Sequence, residues 1–184
     1  MRAAQTQSLL AAVKRLPAAD KRAVLDAIGA ESVERALATL PVGWLSMSLH
    51  MHISDAIRSV LGPARNVEVW RDAMRFSFDR PLLRSFVALT TGIFGVSPRA
   101  LLQRSDKVYD LLTRRCGSLS FEPTSERAAS VTLVGFPAHR YQFICYVEGL
   151  AGCLEATLDL CRAAGKVSVV DQSEHGRVRY AVNW

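Results

Sequence analysis

The hydrophobic period of this chain changes once, at Cys116-Gly117, and that change restricts the folds open to it more than any other feature. Before it, apolar residues recur at three- and four-residue spacing, as in a helix that buries one face. After it, Ser118-Leu119-Ser120-Phe121-Glu122 and Ser130-Val131-Thr132-Leu133-Val134 alternate, as do residues 167–170 and 178–182. Alternation sends every second side chain to one face of a sheet. A polar turn near Ser125 joins the first pair, and Glu174-His175-Gly176 joins the second. Between the pairs, residues 140–164 read as one long helix closed by Gly165. The order is helices, then ββαββ. It predicts an α+β fold: a helical N-terminal half followed by an antiparallel four-stranded sheet with helices packed on it.

The helical half divides at its prolines and glycines. Leu9, Leu10, Val13 and Leu16 form one face and Pro17 ends it; Val24, Leu25 and Ile28 form a second, ended by Gly29. A third short piece runs to Leu40. Residues 1–40 are therefore expected to be a helical arm or cap, beside a single α+β domain at 41–184. Such an arm buries its apolar face on a partner or on its own core. Further helices are expected over 44–61, over 67–78, from Pro81 to Gly95, and from Ser97-Pro98 through Leu112.

A chain of 184 residues, 49% apolar and 22% charged, supports one well-buried core. Its first twenty residues hold no continuous apolar core of a secretion signal, and no stretch approaches the roughly 18 apolar residues of a membrane span. A cytoplasmic protein is expected. Cys145, Cys153 and Cys161 lie eight apart on the long helix, about 12 Å between neighbours, too far for a disulfide or a shared metal. His50 and His52 point to opposite sides of their helix, and no C-x-x-C, H-E-x-x-H, G-x-G-x-x-G or P-loop pattern occurs. No nucleophile, base and orienting group can be assembled from local motifs, so a non-catalytic module is expected.

The formal charge of +6 sits unevenly. Residues 63–116 carry ten basic side chains against five acidic, and 117–184 carry six against seven. Arg71, Arg75, Arg84, Arg114 and Arg115 are the candidate basic surface, which could meet nucleic acid or an acidic partner. Arg71 and Arg75 alternate with Glu68 and Asp72, however, the pattern of a salt-bridged solvated face. Cys116 follows Arg114-Arg115, whose guanidinium groups favour a reactive thiolate, while the helix C-terminus before it opposes one. It is the candidate modification site.

Gly117-Ser118-Leu119, Gly135-Phe136-Pro137, the segment Tyr146-Val147-Glu148-Gly149-Leu150-Ala151-Gly152-Cys153-Leu154-Glu155 and the terminal Tyr180-Ala181-Val182-Asn183-Trp184 together resemble the H-NOX fold and its haem-free relatives. These include the four-vinyl-reductase-type sensor domains, the TRAPP subunits and a paralogous myxobacterial family, to which the likeness is greatest. It covers roughly residues 41–184 and consists of packing motifs. Cys145, Gly149, Cys153, Thr157 and Cys161 recur every four residues as a ridge of small side chains. That ridge either admits a close neighbour or, with Trp70 and Phe86, floors the ligand cavity that this resemblance implies. Glu148, Glu155 and Asp159 read as a solvated acidic stripe.

The resemblance also raises haem, and the residues argue against it. H-NOX domains place a histidine on the helix before the sheet and use Tyr-x-Ser-x-Arg for the propionates. Residues 97–115 hold no histidine, and the nearest echo, Phe136-Pro137-Ala138-His139-Arg140, lacks the tyrosine and serine. No cofactor is expected. What the resemblance implies is a sensing or adaptor module working through protein contacts, as a homodimer or docked on a larger partner, with a small apolar ligand optional in the core. Mean hydropathy of +0.12 points the same way. The alternatives are a nucleic-acid-associated regulator using helices 63–116, and a thiol-dependent enzyme or acylated protein using Cys116. TRAPP relatives suggest the acylation of a cysteine, though theirs is not matched to Cys116.

Overall fold

The computed structural model describes residues 1–136, 144–173 and 177–184, without the side chains of 171–173. Its elements are α1 (Ala3–Lys14), α2 (Ala18–Ile28), α3 (Ala30–Ala38), α4 (Met47–Leu61), α5 (Pro63–Phe78), α6 (Pro81–Phe94), α7 (Pro98–Leu102), α8 (Ser105–Leu112), β1 (Ser118–Ser125), β2 (Ala128–Val134), α9 (Ile144–Leu160), β3 (Lys166–Ser173) and β4 (Arg177–Asn183). The expected α+β order holds. Ser46 and Ser97 cap α4 and α7, their hydroxyl oxygens accepting from the amides of Leu49 and Ala100. Gly62 ends α4 at φ +82°, and Pro63 opens α5 at the next residue, so two long helices meet without a linker.

The four strands form one antiparallel sheet in the order β1-β2-β4-β3. Register lines up the inner face. Leu119 lies opposite Leu133, which lies opposite Val178; Val131 faces Tyr180; and Val182 lies between Ala129 and Val167. All are buried, while Ser120, Ser168 and Arg179 point outward and are exposed. Cross-strand apolar pairs of this kind are what fixes register in a half-buried sheet. Helix α9 packs on that inner face and, by its opposite side, on α5. It is accordingly apolar nearly all round, with Cys145, Tyr146, Val147, Leu150, Leu154 and Leu158 all buried.

Helix α1 lies on α5. Leu9, Leu10 and Val13 are fully buried in the same core as Ile53, Trp70, Tyr146 and Tyr180. The Ser77 hydroxyl reaches Gln5 at 3.2 Å and Ser8 at 3.0 Å. Of the two surfaces open to the amphipathic segment 1–40, the chain's own core takes α1.

Four helices differ from the sequence reading: α4 starts at Met47 rather than at 44, and α5 at Pro63 rather than at 67. The piece expected to run from Ser97 through Leu112 breaks at residues 103–104, where Arg104 takes φ −105°, ψ 10°. The break redirects the chain so that Leu102 and Tyr109 both reach the core. The long helix ends at Leu160 rather than at 164. Arg162 turns to φ +54° and the Ala163 amide returns to the Leu158 carbonyl. Gly165 then passes the carbonyl of Asn183, which a Cβ there would meet at 2.2 Å, so the chain must already have left the helix. The beginning of that reading, 140–143, and the turn at 174–176 lie outside the described residues.

Helices α5 and α9 approach to backbone distance at Gly152, where a Cβ would stand 2.3 Å from the Val67 carbonyl oxygen. Gly92, in the last turn of α6, faces open space. Gly152→Ala should destabilise by about 1–3 kcal/mol through overpacking, and Gly92→Ala should stabilise by up to about 1 kcal/mol through helix propensity. Urea unfolding of the two variants beside the parent measures both signs.

Candidate functional site

Gly149 is one turn before Gly152 on the same side of α9. The Trp70 indole lies where its side chain would be, with Cδ2 and Cε2 at 2.3 Å from a built Cβ. Absence of a side chain at 149 thus seats the largest residue of α5 flat on α9. Around Trp70 gathers a buried ring cluster. His50 meets it edge-on at 5.3 Å, Tyr146 edge-on at 5.5 Å, and Phe136 stacks on Tyr146 at 5.1 Å. The Tyr146 hydroxyl donates to Tyr109 at 3.1 Å, and the Tyr109 hydroxyl donates to the Cys116 carbonyl at 2.7 Å. Tyr180 closes on the Val147 carbonyl at 3.1 Å. Burial raises all three phenol pKa values, so each stays a neutral hydroxyl.

Beside this cluster is a cavity of about 70 Å³. Helix α5 gives it Trp70, Met74 and Phe78; α6 gives Phe86 and Val87; α8 gives Val108 and Tyr109; α9 gives Tyr146, Leu150 and Cys153. The wall is overwhelmingly apolar. Two polar atoms in its lining residues, Trp70 Nε1 and Ser105 Oγ, are covered yet have no hydrogen-bond partner among the described residues. A buried donor left unpaired costs stability, so such atoms call for an explanation.

Of the residues singled out from the sequence, Trp70, Phe86 and Cys153 line the cavity, and Gly149 seats the indole. Cys145 lies elsewhere on α9, its carbonyl accepting from Asn66 at 3.0 Å. Cys161 falls beyond the helix. Burial pushes the thiols of Cys145 and Cys153 up to about 12 and that of Cys161 to about 11, which keeps them protonated. Cys116 is 3% exposed, and its thiol donates to the Arg114 carbonyl at 3.1 Å. The Arg114 guanidinium lies over the Trp44 ring at 4.1 Å. Arg115 and Arg84 are exposed.

The acidic stripe is not solvated, and this corrects the sequence reading. Glu148 takes Arg58 through both oxygens, at 2.8 and 3.1 Å, and Asn66 at 3.1 Å. Asp159 takes Arg71 through both oxygens, at 2.6 and 2.5 Å, and Arg75 at 3.3 Å. Glu155 receives Arg71 and the amide of Val167. Arg71 and Arg75 therefore work across the α5–α9 seam, although Arg75 also keeps the expected surface pair with Asp72. Spacing on one helix cannot report a partner on another. The Arg71 hydrogen bond holds the Asp159 carboxyl below the usual range against the opposing effect of burial.

Residues to which sequence reasoning gave no place in the site are His50, Tyr109, Tyr146 and Ser105. His50 lay in plain view in His-Met-His, but its role depends on α1, whose Thr6 hydroxyl pairs with Nδ1 at 2.9 Å. Nothing local marks Ser105. Among the described residues no three His, Cys, Asp or Glu side chains are placed to hold a metal ion.

No protein-family model matches the chain, and no curated protein matches it. Solved structures do. An oxygen-binding H-NOX domain related to soluble guanylate cyclases is 14% identical, with TM-score 0.62, over 100% of this chain and 94% of that one. A T. tengcongensis H-NOX variant is 15% identical, with TM-score 0.61, over 100% and 97%. A structure describing H-NOX activation is 12% identical, with TM-score 0.56, over 96% and 92%. The fold is H-NOX-like, and the likeness extends through residues 1–40, beyond the 41–184 carried by the sequence motifs.

Some of these neighbours are described as haem proteins. The described residues of this cavity do not fit that group. About 70 Å³ is well below the roughly 300–1,000 Å³ of an ordinary ligand pocket, and among the described residues no histidine lines it. Tyr109, which faces it, has its hydroxyl committed to Cys116 and Tyr146. Residues 137–140, part of the echo of the propionate motif, lie outside the described residues.

Burial, aided by the charge of the amino terminus, lowers the His50 pKa from 6.5 to about 3. The unfolded chain therefore binds this proton more readily than the folded one between those values. The contribution is intact above pH about 6.5 and is lost progressively as pH falls toward about 3. His50→Gln should flatten that part of the stability curve, read as the difference between parent and variant unfolding free energy at successive pH values. A slope equal to the parent's across this window would contradict a buried neutral imidazole.

Proposed function

We propose that this chain is a non-catalytic, cytoplasmic sensing module that takes a small, neutral, mostly apolar molecule into the cavity beside Trp70 and relays its presence through contacts with a second copy or a larger protein. The observation that carries this reading is an apolar cavity two of whose lining residues carry buried donors, Trp70 Nε1 and Ser105 Oγ, with no partner among the described residues. Apolar walls exclude ions, and an unpaired N–H and O–H favour a ligand with one carbonyl, ether or hydroxyl oxygen. The likeness to H-NOX domains supports a sensor without specifying the ligand. Non-catalytic action is supported by protonated thiols along α9 and by Cys116, covered and bonded to backbone.

Size narrows the ligand. A cavity less than half the roughly 150 Å³ that holds benzene accepts only a few heavy atoms before its wall moves. Helix α6 is the wall that gives, because it packs mainly on α5 and α7 while α5 and α9 are locked together. Anything larger would displace α6, and that displacement is the signal.

Native mass spectrometry of freshly purified protein tests occupancy, and thermal unfolding with short-chain ketones, aldehydes and alcohols tests the chemistry. One of these probes should raise Tm, and Cys153→Leu, which fills the cavity, should abolish the rise while remaining folded. A clean mass with no thermal response to any probe would end the proposal, and a Soret band in the purified protein would replace it with a haem reading.

A further inference from the structure

Helix α6 has two apolar faces. Leu83 and Thr90 are buried, and Phe86 and Val87 line the cavity, yet Leu89 (63%), Ile93 (64%), Phe94 (52%) and Val96 (63%) stand exposed at its C-terminal end and in the turn that follows. Leu89 and Ile93 are one turn apart on the same side of the helix. Four large apolar side chains exposed within eight residues are more than the scattered surface hydrophobics of an ordinary domain, and such patches mark a surface that something covers.

The surrounding charge says what. From residue 84 to residue 105 the chain carries Arg84, Arg99 and Arg104 and no acidic residue, Asp79 and Asp106 lying outside that segment. Arg84 and Arg99 are exposed, and the Arg104 guanidinium lies over the Phe94 ring at 4.8 Å. The partner must therefore be apolar at its centre and anionic around it. A second copy of the chain would set arginine against arginine with no acid in this segment to separate them. An anionic lipid bilayer offers acyl chains for a projecting tip and phosphate oxygens for guanidinium groups, and needs no shaped groove. No described helix is long and apolar enough to cross a membrane, so the contact is with the interface only.

We propose that the α6 tip, Leu89, Ile93, Phe94 and Val96 within its arginine rim, docks this protein on the surface of an anionic membrane. Docking places the cavity wall formed by Phe86 and Val87 on the same helix as the lipid contact. The inference does not depend on what the cavity holds.

Flotation of the full chain with phosphatidylcholine vesicles, with and without phosphatidylglycerol, tests it. The bound fraction should rise several-fold with phosphatidylglycerol and fall as salt is added. It should drop several-fold in Leu89→Ser/Ile93→Ser and in Arg84→Glu/Arg99→Glu, whose exposed positions leave near-ultraviolet circular dichroism unchanged. Should either pair fail to fold, Phe94→Trp carries the test, because its emission should shift to the blue on phosphatidylglycerol vesicles. Flotation no greater with the anionic lipid than without it overturns the proposal. So does flotation that both variant pairs leave intact, or a Phe94→Trp emission unmoved while the protein floats. Binding to polyglutamate with no binding to vesicles assigns the face to an acidic protein and overturns it equally.

Discussion

Gly149 and Gly152 remove two side chains from one side of α9, and the rest of the molecule is arranged around that gap. Without Cβ atoms there, α5 reaches α9 at backbone distance and the Trp70 ring lies flat in the space. Trp70 in turn supports His50 and Tyr146, and Tyr146 supports Phe136 and Tyr109. The cavity exists because a flat indole and a small Cys153 cannot fill the volume that α6 and α8 enclose from the other side. A plain packing motif and a ligand site are thus consequences of the same two absent side chains.

The carboxylates of α9 reinforce this seam at both ends. Glu148 lies near the helix's start and Asp159 near its end, and each receives a forked arginine from α4 or α5. Partial burial would penalise either charge alone; two-point contact with guanidinium, joined at Glu148 by Asn66, compensates for it. Directional bonds of this kind fix the axial position of one helix against another, which greasy contact between small residues would leave free to slide. The ends hold register while the middle supplies proximity.

Period change, strand alternation and the proline and glycine joints were enough to order the elements, because each is written within a few neighbouring residues. The break at Arg104 and the early end at Leu160 were not, since both answer to what lies across the core: Leu102 and Tyr109 seeking burial, and Asn183 blocking Gly165. The same division runs through the site. Trp70, Phe86 and Cys153 stood out as large or small residues on helical faces, and all three border the cavity. The acidic stripe was misread as solvated because its arginine partners lie 84 to 90 residues away. Ser105 and Thr6 matter only through neighbours that folding brings to them, and no local pattern announces them.

That long separation has a kinetic meaning. Arg58 and Glu148 are 90 residues apart, so the seam they help fix joins the helices of the first half to the second by non-local contact. Folding of this chain should be governed by such non-local contact rather than by the speed with which its helices form. Cleaving it at Cys116-Gly117, where the hydrophobic period changes and a boundary looks natural, would leave α5 with Trp70 uncovered and α9 with a bare glycine face and a sheet but no second wall. The most visible border in the sequence is the one place where the molecule has no border at all.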